Sequence, residues 1–381
     1  MSSSPGRNNQ PTQFFKSKTM KTRFTPKRTV ATLIAVLVTF GLMAQNNATA
    51  KVIKKDFPVS ASTRLELSNK YGNVDIVNTS EQHLTIEVNI KVNVRDKDRA
   101  EALLNSVEIK ITQEGDVIKA ATELQDDFSK LFRGFNTGDG GLEINYTVTM
   151  PKTLPLNISN KYGNVFVDEL TSTSILDIKY GKLTANKILH DGKEPLTKIY
   201  LSYSDGTIQE TRWVELDIKY SKITIASSKA LAIMSKYSKV FVTNGSSIVS
   251  ESKYDTYEIG KLNNFITTAA YGHFTIAELS GKLQLDTKYT DVIVDKISSG
   301  FENIKISNSY GTYKLGIDPA ANYKINGYSK YCNIIYPENN ARVNRFNENN
   351  EFKVNGVIGS SSNPTAEVSV NSSYGNIRLV P

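Results

Sequence analysis

In each of three residue pairs, an aspartate and a lysine lie two positions apart before a tyrosine, where they could act together on a substrate. The pairs are Asp177/Lys179, Asp217/Lys219 and Asp286/Lys288. In a β-strand, residues two apart point to the same face, so each pair would present a carboxylate beside an ammonium group. General acid–base cleavage of an acidic polysaccharide could use these groups. Alternatively, each pair is solvated surface charge that contributes well under ~1 kcal/mol.

The surface-charge interpretation is favoured, because the charges recur with the repeat described below, whereas a catalytic site would interrupt it with unusual residues. The three histidines, His83, His190 and His273, are far apart in the sequence. The chain contains no HExxH, GxSxG, P-loop or CxxC motif and no tandem calcium-binding turns. We therefore predict a protein that is not an enzyme, with no catalytic residue, no cofactor and no metal site.

Lysine and tyrosine recur together along the chain. From Tyr162 to Tyr331 successive tyrosines of this pattern are 17 to 23 residues apart, a period typical of repeat architectures. Ser or Ala replaces the lysine before Tyr203, Tyr271, Tyr310 and Tyr374. The dipeptide Lys-Tyr ends at Tyr71, Tyr162, Tyr180, Tyr220, Tyr237, Tyr254, Tyr289 and Tyr331.

The residues around each tyrosine alternate as strands do. Apolar residues occur mostly four positions before the tyrosine and three and five positions after it, and a small residue follows directly. The small residue marks a corner, where Gly would tolerate a positive φ. Each unit is then two short strands, a bend and a turn. We predict a mainly β protein, a single-chain parallel β-helix with coils of about 17 to 21 residues. We expect a right-handed coil, although the sequence does not fix the hand.

Stacked coils, ~4.8 Å apart, would align equivalent residues into two ladders. The inward, structural ladder is predicted to contain Tyr162, Tyr180, Tyr203, Tyr220, Tyr237, Tyr254, Tyr271, Tyr289 and Tyr310. The outward ladder, called the lysine row below, contains Lys179, Lys219, Lys236, Lys253 and Lys288. Such a row could follow an anionic glycan or another envelope polymer. Alternatively, the lysines only keep a flat sheet soluble and monomeric.

The net charge of +8 does not indicate a nucleic-acid partner. Seven basic residues and no acidic residue lie in the first 50 positions, which leaves 39 of the 46 basic residues against 38 acidic ones. The predicted inward tyrosines would also offer no surface for stacking bases. We therefore expect no nucleic-acid partner, and the oligomeric state stays open.

The basic N-terminus resembles a secretory signal peptide. Lys27 and Arg28 precede an apolar run from Val30 to Ala44, and Ala48-Thr49-Ala50 forms a small-residue cleavage pattern, with Ala44 as a rival site. A membrane anchor is the alternative, but ~15 apolar residues fall short of the ~20 that span a bilayer. We predict an exported protein of the periplasm, cell surface or extracellular space, without a transmembrane segment after cleavage.

Four regions follow from these patterns: a leader with a dispensable extension (1–50), a first coil with a capping insert (51–158), the β-helix repeats (159–337), and an excursion loop with a closing coil (338–381). The insert contains a predicted helix with Ala100, Leu103, Leu104 and Val107 on one face; a separate domain is the alternative to a cap. The aromatic segment 126–141 either binds a partner or folds onto the first coils. The single cysteine, Cys332, occupies the small corner position and is predicted to be structural.

The chain resembles a bacterial family of candidate adhesins that is related to the head-domain type of autotransporter adhesins. The resemblance covers about Val52 to Val380 and rests on the leader, the first Tyr-Gly-Asn-Val coil, the insert with one helix, the strand VTMPKTLPLNIS and the successive tyrosine coils. It implies an exported, non-enzymatic β-helix and carries over no functional residue.

We therefore predict an adhesin or an envelope binding or scaffold protein, with a glycan or an envelope protein as its partner. The first alternative is a polysaccharide-active lyase or hydrolase on the same fold. The second is a periplasmic envelope-stress component that has no extracellular ligand.

Overall fold

A computed structural model describes residues 37–39, 48–94, 96–132, 141–191 and 194–381 of the chain. Most of the predicted leader lies outside the described residues, as does the glycine-rich end of the aromatic segment. Among the described residues, no helix is both long enough and apolar enough to cross a membrane.

The protein is mainly β, as predicted, with 27 strands and two short helices in the described part. The first part contains β1 (Leu37–Thr39), β2 (Ala48–Pro58), β3 (Arg64–Lys70), β4 (Val74–Asn78), β5 (His83–Asn93), α1 (Lys97–Asn105), β6 (Val107–Glu114), β7 (Val117–Leu124), α2 (Phe128–Phe132) and β8 (Leu142–Met150). The middle contains β9 (Leu156–Lys161), β10 (Val165–Leu170), β11 (Ser174–Lys179), β12 (Lys182–Ile188), β13 (Thr197–Ser202), β14 (Asp205–Lys219), β15 (Lys222–Lys236), β16 (Lys239–Lys253), β17 (Thr256–Ala270), β18 (His273–Lys288), β19 (Asp291–Ile297), β20 (Asn303–Ser309) and β21 (Tyr313–Ile317). The last part contains β22 (Tyr323–Lys330), β23 (Ile334–Ile335), β24 (Ala341–Glu348), β25 (Glu351–Ile358), β26 (Ala366–Ser373) and β27 (Ile377–Val380).

Strands β14 to β18 form the most regular part of the sheet. They pair in parallel, and from β14 through β17 each residue lies opposite its equivalent in the next repeat, as Lys219, Lys236 and Lys253 do. Between β17 and β18 the register shifts by one residue after Leu262. This extra residue explains why Tyr289 follows Tyr271 at a longer interval than Tyr271 follows Tyr254.

The core lies on one face of these strands. Around Tyr220, the residues at positions −4, −2, +3 and +5 are Leu216, Ile218, Ile223 and Ile225, and all four are fully buried. Burying each such side chain contributes ~1.5–3 kcal/mol. Most equivalent side chains at positions −4, +3 and +5 of the other repeats belong to the same hydrophobic core. Position −2 is buried too, but it is polar in eight of the twelve repeats. The period-two pattern of the sequence therefore corresponds to the buried face.

Antiparallel strands and helix α1 lie beyond the first repeat, where the sequence predicts a cap. Strand β7 pairs in parallel with β3 and antiparallel with β6. Strand β8 pairs in parallel with β4 and antiparallel with β5, and β5 pairs antiparallel with β2. Helix α1 begins after Asp96, whose side chain accepts a hydrogen bond from the Arg99 amide at 3.2 Å. It buries Ala100, Leu103 and Leu104, but it is shorter than predicted, because Val107 is the first residue of β6.

The C-terminal part differs from the predicted loop and closing coil. Strands β24 and β25 form an antiparallel hairpin, and β25 pairs along the edge of β22. Because β25 occupies that edge, β26 pairs on the other side of β22 and lies between it and β20. The last repeat of the sequence is therefore an internal one, and β22 with its hairpin occupies the expected closing position.

Candidate functional site

The tyrosines of the repeat point to solvent, so the prediction that they form an inward ladder is wrong. All twelve have a positive φ, between +51° and +63°, and eleven of them are 40–52% exposed. A residue in this left-handed conformation ends the alternation of the strand before it. The side chain that the strand pattern would bury therefore turns outward. These twelve corner tyrosines are Tyr71, Tyr162, Tyr180, Tyr203, Tyr220, Tyr237, Tyr254, Tyr271, Tyr289, Tyr310, Tyr331 and Tyr374.

The corner tyrosines form one continuous stack of rings. From Tyr162 to Tyr331, neighbouring ring centroids are 4.8–5.2 Å apart and their planes differ by at most 18°. Tyr71 continues the stack at 5.4 Å, and Phe128 and Phe132 of α2 pack against it. These two phenylalanines thus pack on the first repeat, which agrees with one of the two interpretations of the aromatic segment.

Stacking stabilises the corner tyrosines. Stacked pairs contribute ~0.5–1.5 kcal/mol each, which offsets the ~1–2 kcal/mol cost of each left-handed residue.

The residue after each corner tyrosine is small for a reason other than a positive φ. A β-carbon on Gly163 would lie 1.9 Å from the carbonyl oxygen of Gly72 in the neighbouring repeat. Where serine stands instead, it satisfies backbone groups: the Ser221 hydroxyl donates to the Lys219 carbonyl at 2.8 Å and accepts from the Ser204 amide at 3.1 Å. The small side chain is therefore required by close backbone approach or by hydrogen bonding.

Replacing Tyr237 tests the left-handed corner directly. Both Tyr237→Gly and Tyr237→Ala remove the stacked ring, but only alanine retains the steric cost of a positive φ. We expect the alanine variant to be about 1 kcal/mol less stable than the glycine variant in urea unfolding. At Lys236, an extended strand residue, the order should reverse, because glycine weakens a strand. An alanine variant at 237 as stable as the glycine variant would contradict the assigned conformation.

The five residues of the lysine row are all exposed on the face opposite the core. Lys219, Lys236 and Lys253 lie directly opposite one another on consecutive strands. In the same column, Ser202 separates Lys179 from Lys219, and Ala270 separates Lys253 from Lys288.

The column also contains Lys70, Lys161 and Lys330. Sequence analysis did not assign these three to the row, although their Lys-Tyr dipeptides were a visible signal.

Two of the three acid–base pairs are ion pairs. The ammonium of Lys179 lies 3.1 Å from Asp177, and that of Lys219 lies 3.1 Å from Asp217. Among the described side chains, Asp286 and Lys288 form no such pair. Lys236 and Lys253 instead lie over the rings of the tyrosines that follow them, 5.6 and 5.5 Å from the centroids. A cation over a ring keeps its full charge, so these two lysines remain available to an anion.

A shallow groove of about 690 Å³ runs beside the lysine row across β14 to β18. Thr268 and Ala270 also line it, at the positions where other repeats have the acid and the lysine. Desolvation, with the neighbouring Tyr254 and Tyr220, raises the pKa of Tyr237 in the neighbouring stack, so this phenol stays uncharged at neutral pH. The charged residues that line the groove are Asp217, Lys219, Lys236, Glu251, Lys253, Asp286 and Lys288.

The described residues contain no cluster of three or more His, Cys, Asp or Glu side chains that could hold a metal ion. Cys332 lies at the corner position, half-buried, with its sulfur 3.4 Å from the Lys330 carbonyl oxygen. The lysine row and the corner tyrosines beside it present exposed ammonium groups and phenol hydroxyls.

No protein-family model matches the chain, and no curated protein sequence matches it. Among solved structures, a "putative adhesin" from Bacteroides fragilis is 9% identical and aligns over 87% of this chain and 97% of its own, with a TM-score of 0.29. A "putative adhesin" from Parabacteroides merdae is 13% identical over 67% and 96%, with a TM-score of 0.32. A "putative lipid binding protein" from Parabacteroides distasonis is 11% identical over 70% and 95%, with a TM-score of 0.28. At such identities and TM-scores, these matches carry no argument on fold or function.

Proposed function

We propose that the chain is an exported, non-enzymatic binding protein, a right-handed parallel β-helix whose lysine row binds a linear anionic glycan. The constant sequence offset between paired strands supports the β-helix. The observation that carries the binding function is the alignment of Lys219, Lys236 and Lys253 beside an open groove. A surface adhesin is the role that suits such a protein.

The charge pattern of the row suits a polymer better than a small anion. Cations on consecutive strands repeat every ~4.8 Å, so a chain with regularly spaced carboxylates or sulfates can contact several of them at once. Each exposed contact is weak, but contacts along one chain add, and the attraction is screened by salt. Lys236 and Lys253 are the strongest contributors, because rings and not carboxylates lie beside their ammonium groups.

The geometry gives less support to catalysis than to binding. Asp177 and Asp217 are already paired with lysines on their own strands, and the pairs recur with the repeat. The alternative, a polysaccharide-active enzyme, predicts that purified protein releases new reducing ends or unsaturated sugars. A periplasmic component without an external ligand predicts that protease added to whole cells leaves the protein intact.

Replacing the five lysines of the row with serine tests the proposed function. Binding to immobilised polygalacturonate, hyaluronan and alginate is measured at low and high salt. We expect salt-sensitive binding to at least one polymer and a loss of at least about tenfold in affinity in the variant. The control replaces five exposed lysines outside the column with serine, namely Lys222, Lys239, Lys261, Lys296 and Lys314. Equal losses of affinity in both variants would mean that only the net charge matters. Unchanged binding by the lysine-row variant would show that the row does not bind the glycan.

A further inference from the structure

We propose a second binding site, for an uncharged oligosaccharide, on the face formed by β22, β25 and β24. It lies on the C-terminal hairpin, away from the groove of the lysine row, and it does not depend on the proposed function of that row. Two observations carry it: a pair of aromatic rings around a lysine, and a row of free amides.

The aromatic pair lies in one row across the three strands. Tyr328 is opposite Lys353 on β25, and Lys353 is opposite Phe346 on β24. The Lys353 ammonium is 5.6 Å from each ring centroid, and Phe346 is 45% exposed. The two rings are two strand spacings apart, ~9.6 Å. The exposed ring surface and the lysine ammonium beside it offer a sugar an apolar contact and a hydrogen-bond donor.

The amides form the adjacent row on the same face. Asn326 is opposite Asn355, and Asn355 is opposite Asn344. Each lies two residues from a member of the aromatic row, so both rows point to the same side. Within the described part of the chain, none of the three side chains has a hydrogen-bond partner. Each offers two donors and an acceptor, which is the complement that sugar hydroxyls require.

Charges of both signs surround the two rows. Glu351 lies 3.6 Å from Lys353 and 3.9 Å from Lys330, and Glu338 lies 3.4 Å from Arg345. Lys324 and Arg342 lie on the same face, two residues from Asn326 and Asn344, so cations outnumber acids there. An uncharged sugar gains nothing from these charges, so its contacts come from the amides and the rings. The groove over this face has a volume of about 390 Å³, within the range of small-ligand sites.

Binding of uncharged hexasaccharides to the full chain tests this site. Cellohexaose, maltohexaose and laminarihexaose are titrated by isothermal calorimetry at low and high salt. We expect at least one to bind, with an affinity that salt leaves unchanged. Phe346→Ala should weaken that binding about five- to tenfold, and Asn355→Ala should weaken it measurably as well. Phe346 is exposed on an edge strand, so its loss leaves the core intact.

Phe241→Ala is the matched control. Phe241 also lies under a lysine, with the ammonium of Lys222 5.0 Å from its ring, but its strand neighbours are Thr224 and Glu258. This variant and the five-lysine serine variant should both bind as the parent does, which separates this site from the lysine row. The proposal is overturned if none of the three sugars binds, if Phe346→Ala binds normally, or if the five-lysine variant abolishes binding.

Discussion

Replacing Asp255 with alanine is expected to lower the free energy of unfolding by on the order of 4 kcal/mol. Asp255 follows the corner Tyr254 and is 3% exposed. One carboxylate oxygen accepts from the hydroxyls of Ser235 and Ser252, both at 2.7 Å, and from the Lys253 amide at 2.8 Å. The other accepts from the Ser238 amide at 2.6 Å. Alanine would leave four donors, three of them in buried hydrogen bonds, without this acceptor.

The cost should be large because two of the four donors are backbone amides, which cannot rotate to another partner. Each unsatisfied buried donor costs ~1–3 kcal/mol. The hydroxyl of Ser235 can still contact the Tyr257 hydroxyl at 2.8 Å, so the serines lose less. Burial raises the pKa of Tyr257, which keeps its phenol neutral beside the carboxylate.

Urea unfolding of Asp255→Ala, Asp255→Asn and Asp286→Ala distinguishes this network from a general charge effect. Asparagine should be intermediate, because either orientation of its amide places an N–H against a backbone donor. Asp286 is an exposed acid of the lysine-row face, and its replacement should change stability by less than ~0.5 kcal/mol. Similar losses for Asp255→Ala and Asp286→Ala would show that the buried hydrogen bonds do not carry the effect.

Strand content and the buried face could be read from the sequence because both depend on local alternation. Leu216 and Ile218 before a corner, and Ile223 and Ile225 after it, are buried as their spacing indicates. The outward lysines follow from the same parity. The period of the repeat also predicted the register by which Lys219 and Lys236 meet.

The direction of the tyrosines could not be read in this way. A left-handed conformation is uncommon for bulky residues, and nothing in the chemistry of tyrosine favours it. The stack between neighbouring repeats stabilises that conformation, and the stack exists only after the strands pair. Twelve equivalent tyrosines followed by small residues were nevertheless a signal that the turn begins at the tyrosine.

Contacts between segments that are distant in the sequence could not be predicted from the sequence pattern either. Asn326, Asn344 and Asn355 meet because β25 folds back on β22 and β24, and the internal position of β26 depends on the same hairpin. The hydrogen bonds to Asp255 left only a weak signal in the sequence. Ser235 and Ser252 stand two residues before a corner tyrosine, where the three preceding repeats have Ile178, Leu201 and Ile218.

Replacing Gly163 with alanine is the second change with a large expected effect, a destabilisation of about 3 kcal/mol or more. The added β-carbon would lie 1.9 Å from the Gly72 carbonyl oxygen and 2.5 Å from its carbon. Those atoms are backbone held in the sheet, and the Asn160 side-chain amide donates to that same oxygen at 3.2 Å. Relief of the clash would therefore have to move the neighbouring repeat away and weaken its pairing.

Gly272→Ala is the control, because Gly272 occupies the same position after a corner tyrosine. Its β-carbon would first meet the edge of the Phe274 ring at 3.3 Å, a side chain that can shift by a few tenths of an ångström. We expect a loss below ~1 kcal/mol there. Neither glycine has a positive φ, so the contrast in urea unfolding isolates the distance between neighbouring repeats. Gly163→Ala should unfold at a clearly lower urea concentration or fail to give soluble protein. Equal stability of the two variants would mean that the first repeats are less closely packed than the 1.9 Å contact requires.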